Sequence, residues 1–375
     1  MKISILKETA AGESRVAATP ETVKKLIGLE HAVTVETGAG DAAGFHDSAY
    51  TEAGATIASS AQEAAAGTEL TLKVRAPSDE ELAFLPEGSA VVGLMDPFNA
   101  AALAKSANAR KIALLAMEFT PRITRAQAMD ALSSQSNLAG YRAVIEGANL
   151  YGRAMPMMMT AAGTVAPAKV FVMGAGVAGL QAIATARRMG AVVTATDVRP
   201  AAKEQVASLG AKFVAVEDEE FQAAEAAGGY AKEMSAEYQA KQNDLVAGHI
   251  AKQDIVVTTA LIPGRPAPVL ISEDMVKSMK PGSVIVDMAV AQGGNCPLSK
   301  PDEVVDVNGV KVAGFTNLPA RLAADSSSLF AKNLNAFLPL ITAENGALTL
   351  DTEDEIVTSM LLTKGGETVN ERISQ

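Results

Sequence analysis

Six residues carry the clearest chemical signal in this sequence: Gly174-Ala175-Gly176-Val177-Ala178-Gly179. They match G-x-G-x-x-G, a weak pattern alone. Here an apolar, β-branched run (Lys169 to Met173) precedes them and an alanine-rich helical run follows, which is the context the motif requires. Gly174 permits a tight turn, Gly176 lets a pyrophosphate approach the backbone, and Gly179 lets helix and strand pack closely. The helix N-terminus offers unpaired N–H groups and a partial positive charge to phosphate. Val177 stands at that N-terminus.

Asp197 closes the next strand-like run, 18 residues after Gly179, with Val198 and Arg199 beside it. A carboxylate there can accept from both ribose hydroxyls of NAD and repels the 2′-phosphate of NADP. Arg199 argues the other way, since an arginine can accommodate that phosphate. The aspartate's place at the strand end favours NAD(H) as the cofactor.

These residues need a sheet to hold them. Strands are expected at Lys169 to Met173, Ala191 to Asp197, Lys212 to Val216, Asp254 to Thr258, Ser283 to Asp287 and from Val310, with helical crossovers. That alternation reads as a doubly wound Rossmann domain. Residues 218–253 interrupt the rhythm, and an insertion of this length is expected to be functional or mobile. Upstream, runs at Lys2 to Leu6, Ala32 to Glu36, Glu69 to Val74 and Ala90 to Met95 suggest a second α/β domain with a mostly parallel sheet. Thr19 and Pro20 read as the cap and first residue of a helix. The expected domains are 1–132 completed by 323–375, and 133–322, with the cofactor in a cleft between them.

Composition narrows the partners. The 375 residues carry a formal charge of -11, which argues against nucleic acid and anionic lipid. A single cysteine, Cys296, forbids an internal disulfide and fits a reducing compartment. No metal-ligand spacing occurs, so no metal is expected. The Met155 to Met159 cluster reads as core or dimer packing. There is no signal-peptide core and no apolar run of the roughly 18 to 20 residues that span a bilayer. A cytoplasmic chain is expected, with any membrane link made through a partner.

Further segments bring a family into view: "PRITRAQAMDALSSQSNLAGYRAV" from Pro121, "GGYAKEM", "TTALIPGRPAPVLI" and "GGNCPLS". With the glycine loop, they resemble the NAD(H)-binding component of proton-translocating nicotinamide nucleotide transhydrogenase, in the form where the alpha subunit is split. The resemblance implies a homodimer of two-domain subunits. It further implies peripheral association with the inner membrane through a membrane-spanning proton-channel component, and a separate component holding NADP(H). The implied reaction is hydride exchange between NADH and NADP+ coupled to proton movement. The family's arginine, glutamine and aspartate in this motif match Arg122, Gln127 and Asp130, with Ser133 beside them as a fourth catalytic candidate. From the residues alone, a solvated loop with an Arg–Asp pair is the plainer reading. Asn137 lies four residues after Ser133, on the same helical face, and joins the cofactor contacts. Gly229 and Tyr230 match a loop that folds over nucleotide in the family. Gln242 and Leu261 match nucleotide-contacting positions.

Alanine dehydrogenase belongs to the same fold family and supplies the main alternative, a stand-alone amino-acid dehydrogenase. In that enzyme the residues matching Arg15 and Lys73 hold the substrate carboxylate and carbonyl. It also needs an acid/base histidine after the "AVVGLM" strand, where this chain has Leu94-Met95-Asp96, and an aspartate before its Gln-Gly-Gly, where this chain has Ala291. Oxidising an amine or alcohol requires a group to take a proton, whereas exchange between two nicotinamides moves a hydride alone. A non-catalytic NAD-sensing module is the third reading.

Overall fold

The computed structural model describes residues 1–223 and 234–373. The fold is α/β, and the chain divides into two compact units, Met1–Gln135 with Pro319–Gln375, and Ser136–Leu318.

The first unit is built on an eight-stranded sheet. Its order is Glu367–Thr368, Leu361–Lys364, Ala113–Ala116, Ala90–Leu94, Leu70–Arg75, Lys2–Ile5, Ala32–Glu36 and Thr56–Ala58. The six strands from Ala113 onward are parallel, and the two C-terminal strands add antiparallel at one edge. Central strands such as Ala113–Ala116 are covered on both faces, so they read as continuous apolar runs rather than alternating ones. Thr19 caps the helix Pro20–Gly28 by a capping box with Thr22, and Pro20 opens it.

The second unit holds the glycine motif in a seven-stranded sheet. Its order is Lys212–Phe213, Val192–Thr196, Lys169–Met173, Ile255–Thr258, Val284–Asp287, Val310–Ala313 and Val304–Val307. All but the last are parallel. From Lys169–Met173 the chain adds strands first on one side and then on the other, so the strand order reverses there. In an open sheet of this kind, the crevice outside the carboxyl ends at that reversal is the ligand position. The antiparallel Val304–Val307 is an addition to the expected six strands. Its alternating exposed and half-buried residues mark a sheet edge.

The stretch from 218 onward contains a 15-residue helix, Ala236–Ile250, which packs Tyr238, Val246 and Ile250 inward. The methionine cluster is mostly outside the core. Met155 is buried, but Met157, Met158 and Met159 are exposed, on and beside a hairpin formed by Met158–Thr160 and Gly163–Val165. Cys296 is fully buried, and burial pushes its thiol pKa up. Among the described residues, no helix is long and apolar enough to cross a membrane.

Candidate functional site

The glycine loop adopts the conformation its residue types demand. Gly174 has φ of 101°, open to glycine but strained for other residues. A β-carbon there would also stand 2.5 Å from Thr259 Oγ1, which donates to the Gly174 carbonyl at 3.0 Å. At Gly179 an added β-carbon would meet the Gly174 carbonyl oxygen at 1.8 Å, so only glycine lets the helix Val177–Arg188 start this close to the strand. Gly176 differs, because a β-carbon there would meet nothing within 4 Å. Open space over a loop backbone, at the N-terminus of a 12-residue helix, fits a dinucleotide's pyrophosphate.

Asp197 lies beside that loop. Its Oδ2 accepts from the Ala175 N–H at 2.7 Å, tying the second strand's end to the glycine turn. Its Oδ1 accepts from the Arg199 N–H at 2.9 Å. The Arg199 side chain also forks the carboxylate, from Nε at 2.8 Å and Nη2 at 2.9 Å. Hydrogen bonding to Asp197 raises the Arg199 pKa above its ordinary value. Val177, the first residue of that helix, and Val198, next to Asp197, are exposed. Gln242 is committed to the frame: Oε1 accepts from the Val216 N–H at 2.8 Å, and Nε2 donates to Thr196 Oγ1 at 3.2 Å. It braces the strand end that carries Asp197.

On the other side of the strand reversal, Leu261 is 47% exposed, in the segment after Ile255–Thr258. Its position depends on residues that sequence reasoning does not single out. Asn295, fully buried, accepts from the Ala260 N–H and donates to the Ala260 and Pro268 carbonyls. Asp287, also fully buried, accepts from Thr258, Ala289, Cys296 and Ser299. Buried polar groups with every partner in place fix a loop's path. Gly140 is another such residue: it packs on the first turn of the helix Val177–Arg188. "GGNCPLS" contains a signal for two of these, since Asn295 and Ser299 fall within it.

In the first unit, residues 121–130 form a turn anchored by Ala126 and Met129 in the core. Between these anchors Gln127 is exposed. Asn333, from the helix Ala323–Phe337, donates to the Ala128 carbonyl at 2.8 Å and accepts from Ser134 Oγ at 2.7 Å. Asp130 caps the helix Ala131–Tyr151: its Oδ1 accepts from the Ser133 N–H at 2.8 Å and its Oδ2 from Ser133 Oγ at 2.5 Å. Arg125 of the turn forks Asp354, a residue outside it, at 2.7 and 3.3 Å. Arg122 and Asn137 are exposed. Gly229 and Tyr230 lie outside the described residues.

Arg15 and Lys73 are buried, at 2% and 1% exposure, and both are engaged by this chain's own carboxylates. Arg15 forks Glu13 at 2.6 and 2.7 Å and donates to Gln135 at 2.8 Å. Lys73 stands 2.5 Å from Glu81 and 3.5 Å from Glu8. Burial pushes the Glu8 carboxyl up to about 6, against the pull of Lys73. The histidines serve packing and local polar contacts: His249 bonds to Thr194, and His46 to Asp41.

A strand–glycine turn–helix unit with a carboxylate at the end of the adjoining strand, at the reversal point of a doubly wound sheet, defines the Rossmann class of dinucleotide-binding proteins. Within that class, the chain belongs to the alanine dehydrogenase/PNT family. Residues 4–139 match its N-terminal domain and residues 143–371 its C-terminal domain. The chain is 55% identical over 376 residues to the first chain of the NAD(P) transhydrogenase alpha subunit of Rhodospirillum rubrum, covering 99% of this chain and 98% of that one. It is 32% identical to alanine dehydrogenase of Halomonas elongata, covering 92% and 87%. The crystal structure of transhydrogenase from Sinorhizobium meliloti superposes with a TM-score of 0.91 at 53% identity, covering 98% of this chain and 100% of that one.

Proposed function

We propose that this chain is the NAD(H)-binding subunit of a proton-translocating transhydrogenase. It presents NADH for direct hydride transfer to NADP+ held on a partner component, and a membrane-spanning component couples the exchange to proton movement. It works as a homodimer in the cytoplasm, joined to the inner membrane only through those partners. Its functional domains are 1–132 with 323–375, and 133–322.

The reading is carried by Arg15 and Lys73. In an amino-acid dehydrogenase of this family the matching cations hold the substrate. Here Glu13, Glu8 and Glu81 already occupy them inside the protein. A small carboxylate would have to displace a buried, bidentate ion pair to bind, which is costly. The nucleotide apparatus is intact while the amino-acid apparatus is filled, and no histidine follows Ala90–Leu94 to take a proton. The identity to a transhydrogenase alpha chain, well above that to alanine dehydrogenase, supports the same conclusion.

Bound NADH supplies the hydride. The chain's residues supply position. The loop backbone at Gly174, Gly176 and Gly179 and the helix N-terminus receive the pyrophosphate, and Asp197 receives the adenosine ribose. Val177, Val198 and Leu261 cover the nucleotide. Arg122, Gln127, Asp130, Ser133 and Asn137 orient the carboxamide and nicotinamide ribose. Hydride transfer needs two rings held in register with water excluded, not a general base, so fixed polar groups suffice. Stopped-flow mixing with the NADP(H)-binding component tests the reading: NADH-dependent reduction of NADP+ is expected, with no NADH formed from NAD+ and alanine. The reverse result would overturn it.

A further inference from the structure

A carboxylate has about four acceptor positions, two on each oxygen. At Asp197 this chain fills all four. The Arg199 N–H and Nε take Oδ1, and the Ala175 N–H and Arg199 Nη2 take Oδ2. The donors fall into two kinds. Two are backbone groups fixed by the turn that follows the strand and by the glycine loop. The other two belong to one guanidinium that is 33% exposed, over a carboxylate that is only 6% exposed. The guanidinium has a path into water, whereas the carboxylate and its backbone donors do not.

A ribose diol also brings two donors. They require two acceptor positions on Asp197, and the only two that can be vacated without breaking the backbone are those held by Arg199. We propose that Arg199 is an intramolecular competitor for the ribose: its planar fork occupies the diol's two positions and must swing aside for the nucleotide to bind. The proposal rests on the reading that Asp197 receives the ribose. Arg199 then lowers affinity for NAD(H) and raises the rate of release. It also keeps Asp197 hydrogen-bonded whenever the ribose leaves. A subunit that must exchange its nucleotide at each turnover gains from a built-in displacer.

The test is equilibrium binding of NADH, and of its 2′-deoxyadenosine analogue, to the whole chain. Arg199→Leu, Arg199→Lys and Asp197→Asn are compared with the unaltered protein, and far-UV circular dichroism checks the fold of each. Arg199→Leu should bind NADH about three- to tenfold more tightly, the scale of a partly exposed, charge-assisted pair. Arg199→Lys keeps the charge but loses the fork, so it should fall between the two. The deoxy analogue uses one freed position and should gain less than NADH from Arg199→Leu. Unchanged or weaker NADH binding by a folded Arg199→Leu protein overturns the proposal. If the leucine variant fails to fold, unchanged or weaker binding by Arg199→Lys overturns it instead. Asp197→Asn separates the two levels. If it leaves NADH binding unchanged, the ribose reading itself is wrong. If it weakens binding while Arg199→Leu does not tighten it, the ribose reading stands and the competitor role falls.

Discussion

Gly140, in the middle of the long helix Ala131–Tyr151, lies against the Ala178 backbone so closely that an added β-carbon would stand 2.0 Å from the Ala178 carbonyl oxygen. The carbonyl belongs to the first turn of the helix that follows the glycine loop. One helix therefore sets the depth at which the other begins. Nothing in the local sequence announces this, because glycine in a helix interior is ordinarily a mild liability.

Gly140→Ala is accordingly expected to reverse the usual sign. An exposed helical glycine gains up to about 1 kcal/mol when replaced by alanine. At Gly140 the methyl collides with backbone that cannot rotate away, and overpacking of this kind costs about 1–3 kcal/mol. Gly248 provides the contrast, since it is exposed in the helix Ala236–Ile250 and a β-carbon there meets nothing within 4 Å. Urea denaturation should show Gly140→Ala less stable and Gly248→Ala as stable or more so. NADH binding should weaken in the first variant only. A neutral Gly140→Ala would mean that the two helices can separate freely.

The local elements of this molecule are legible in its sequence, and most of its long-range devices are not. The fingerprint Gly174 to Gly179 and the strand-ending Asp197 are contiguous or nearly so, and each residue type has one physical reason for its place. Thr259, Asp287 and Asn295 hold the opposite wall of the same crevice by contacts that span from 27 to 85 residues. A polar residue at a strand end looks the same whether it is solvated or buried and fully bonded. The arginine fork on Asp197 is half legible. Arg199 stands out in the sequence as a complication, but it is the fold that brings its side chain onto two of the carboxylate's acceptor positions. Composition also does not divide the methionine cluster into the buried Met155 and the exposed Met157 to Met159 on and beside a hairpin.

Glu8 gives the first unit a pH dependence. Its carboxyl is pushed up to about 6 by burial, with Glu13 and Glu81 adding to the rise and Lys73 and the Val74 N–H opposing it. A raised acid pKa means that the folded protein binds the proton more tightly than the unfolded chain. Stability is therefore greatest below about 4.5 and is lost as pH rises through about 6, by about 2 kcal/mol in total. Glu118, half-buried and likewise raised by desolvation, adds a slope of the same sign. The diagnostic quantity is thus the difference between the unaltered protein and Glu8→Gln. Unfolding free energies measured from pH 4.5 to 7 should converge towards low pH and part as the pH rises. Parallel curves would show that Glu8 titrates normally.

Asn333 should act on the Gln127 turn from a distance. It is 8% exposed and satisfies both the Ala128 carbonyl and the Ser134 hydroxyl. Asn333→Leu keeps the volume but leaves two polar groups without that partner, at a cost of about 1–3 kcal/mol. Because the turn is also pinned by Arg125 on Asp354, it should loosen rather than unfold. Slower hydride transfer is expected with NADH affinity changed little. Asn333→Asp, which keeps the acceptor for Ser134, should lose less. Equal transfer rates in all three proteins would free the turn's geometry from Asn333.

Gln127 offers the sharpest test of the chemistry. Its neighbours Ala126 and Met129 are buried in the core, so the backbone at 127 is fixed by residues other than its own side chain. The amide itself is exposed and neutral. It cannot carry a proton, but one end donates and the other accepts, which suits a group that bridges polar atoms of two nucleotides. Gln127→Asn keeps both ends and draws them back by one methylene. Misplacing reacting atoms by about 1 Å costs on the order of a hundredfold in rate. The variant should fold normally, bind NADH nearly as tightly and transfer hydride slowly when mixed with the NADP(H)-binding component. Single-turnover stopped-flow measurement beside an NADH titration separates the two effects. A normal transfer rate, or a loss accounted for by weaker NADH binding alone, would remove Gln127 from the mechanism and with it the ring-positioning role of residues 121–130.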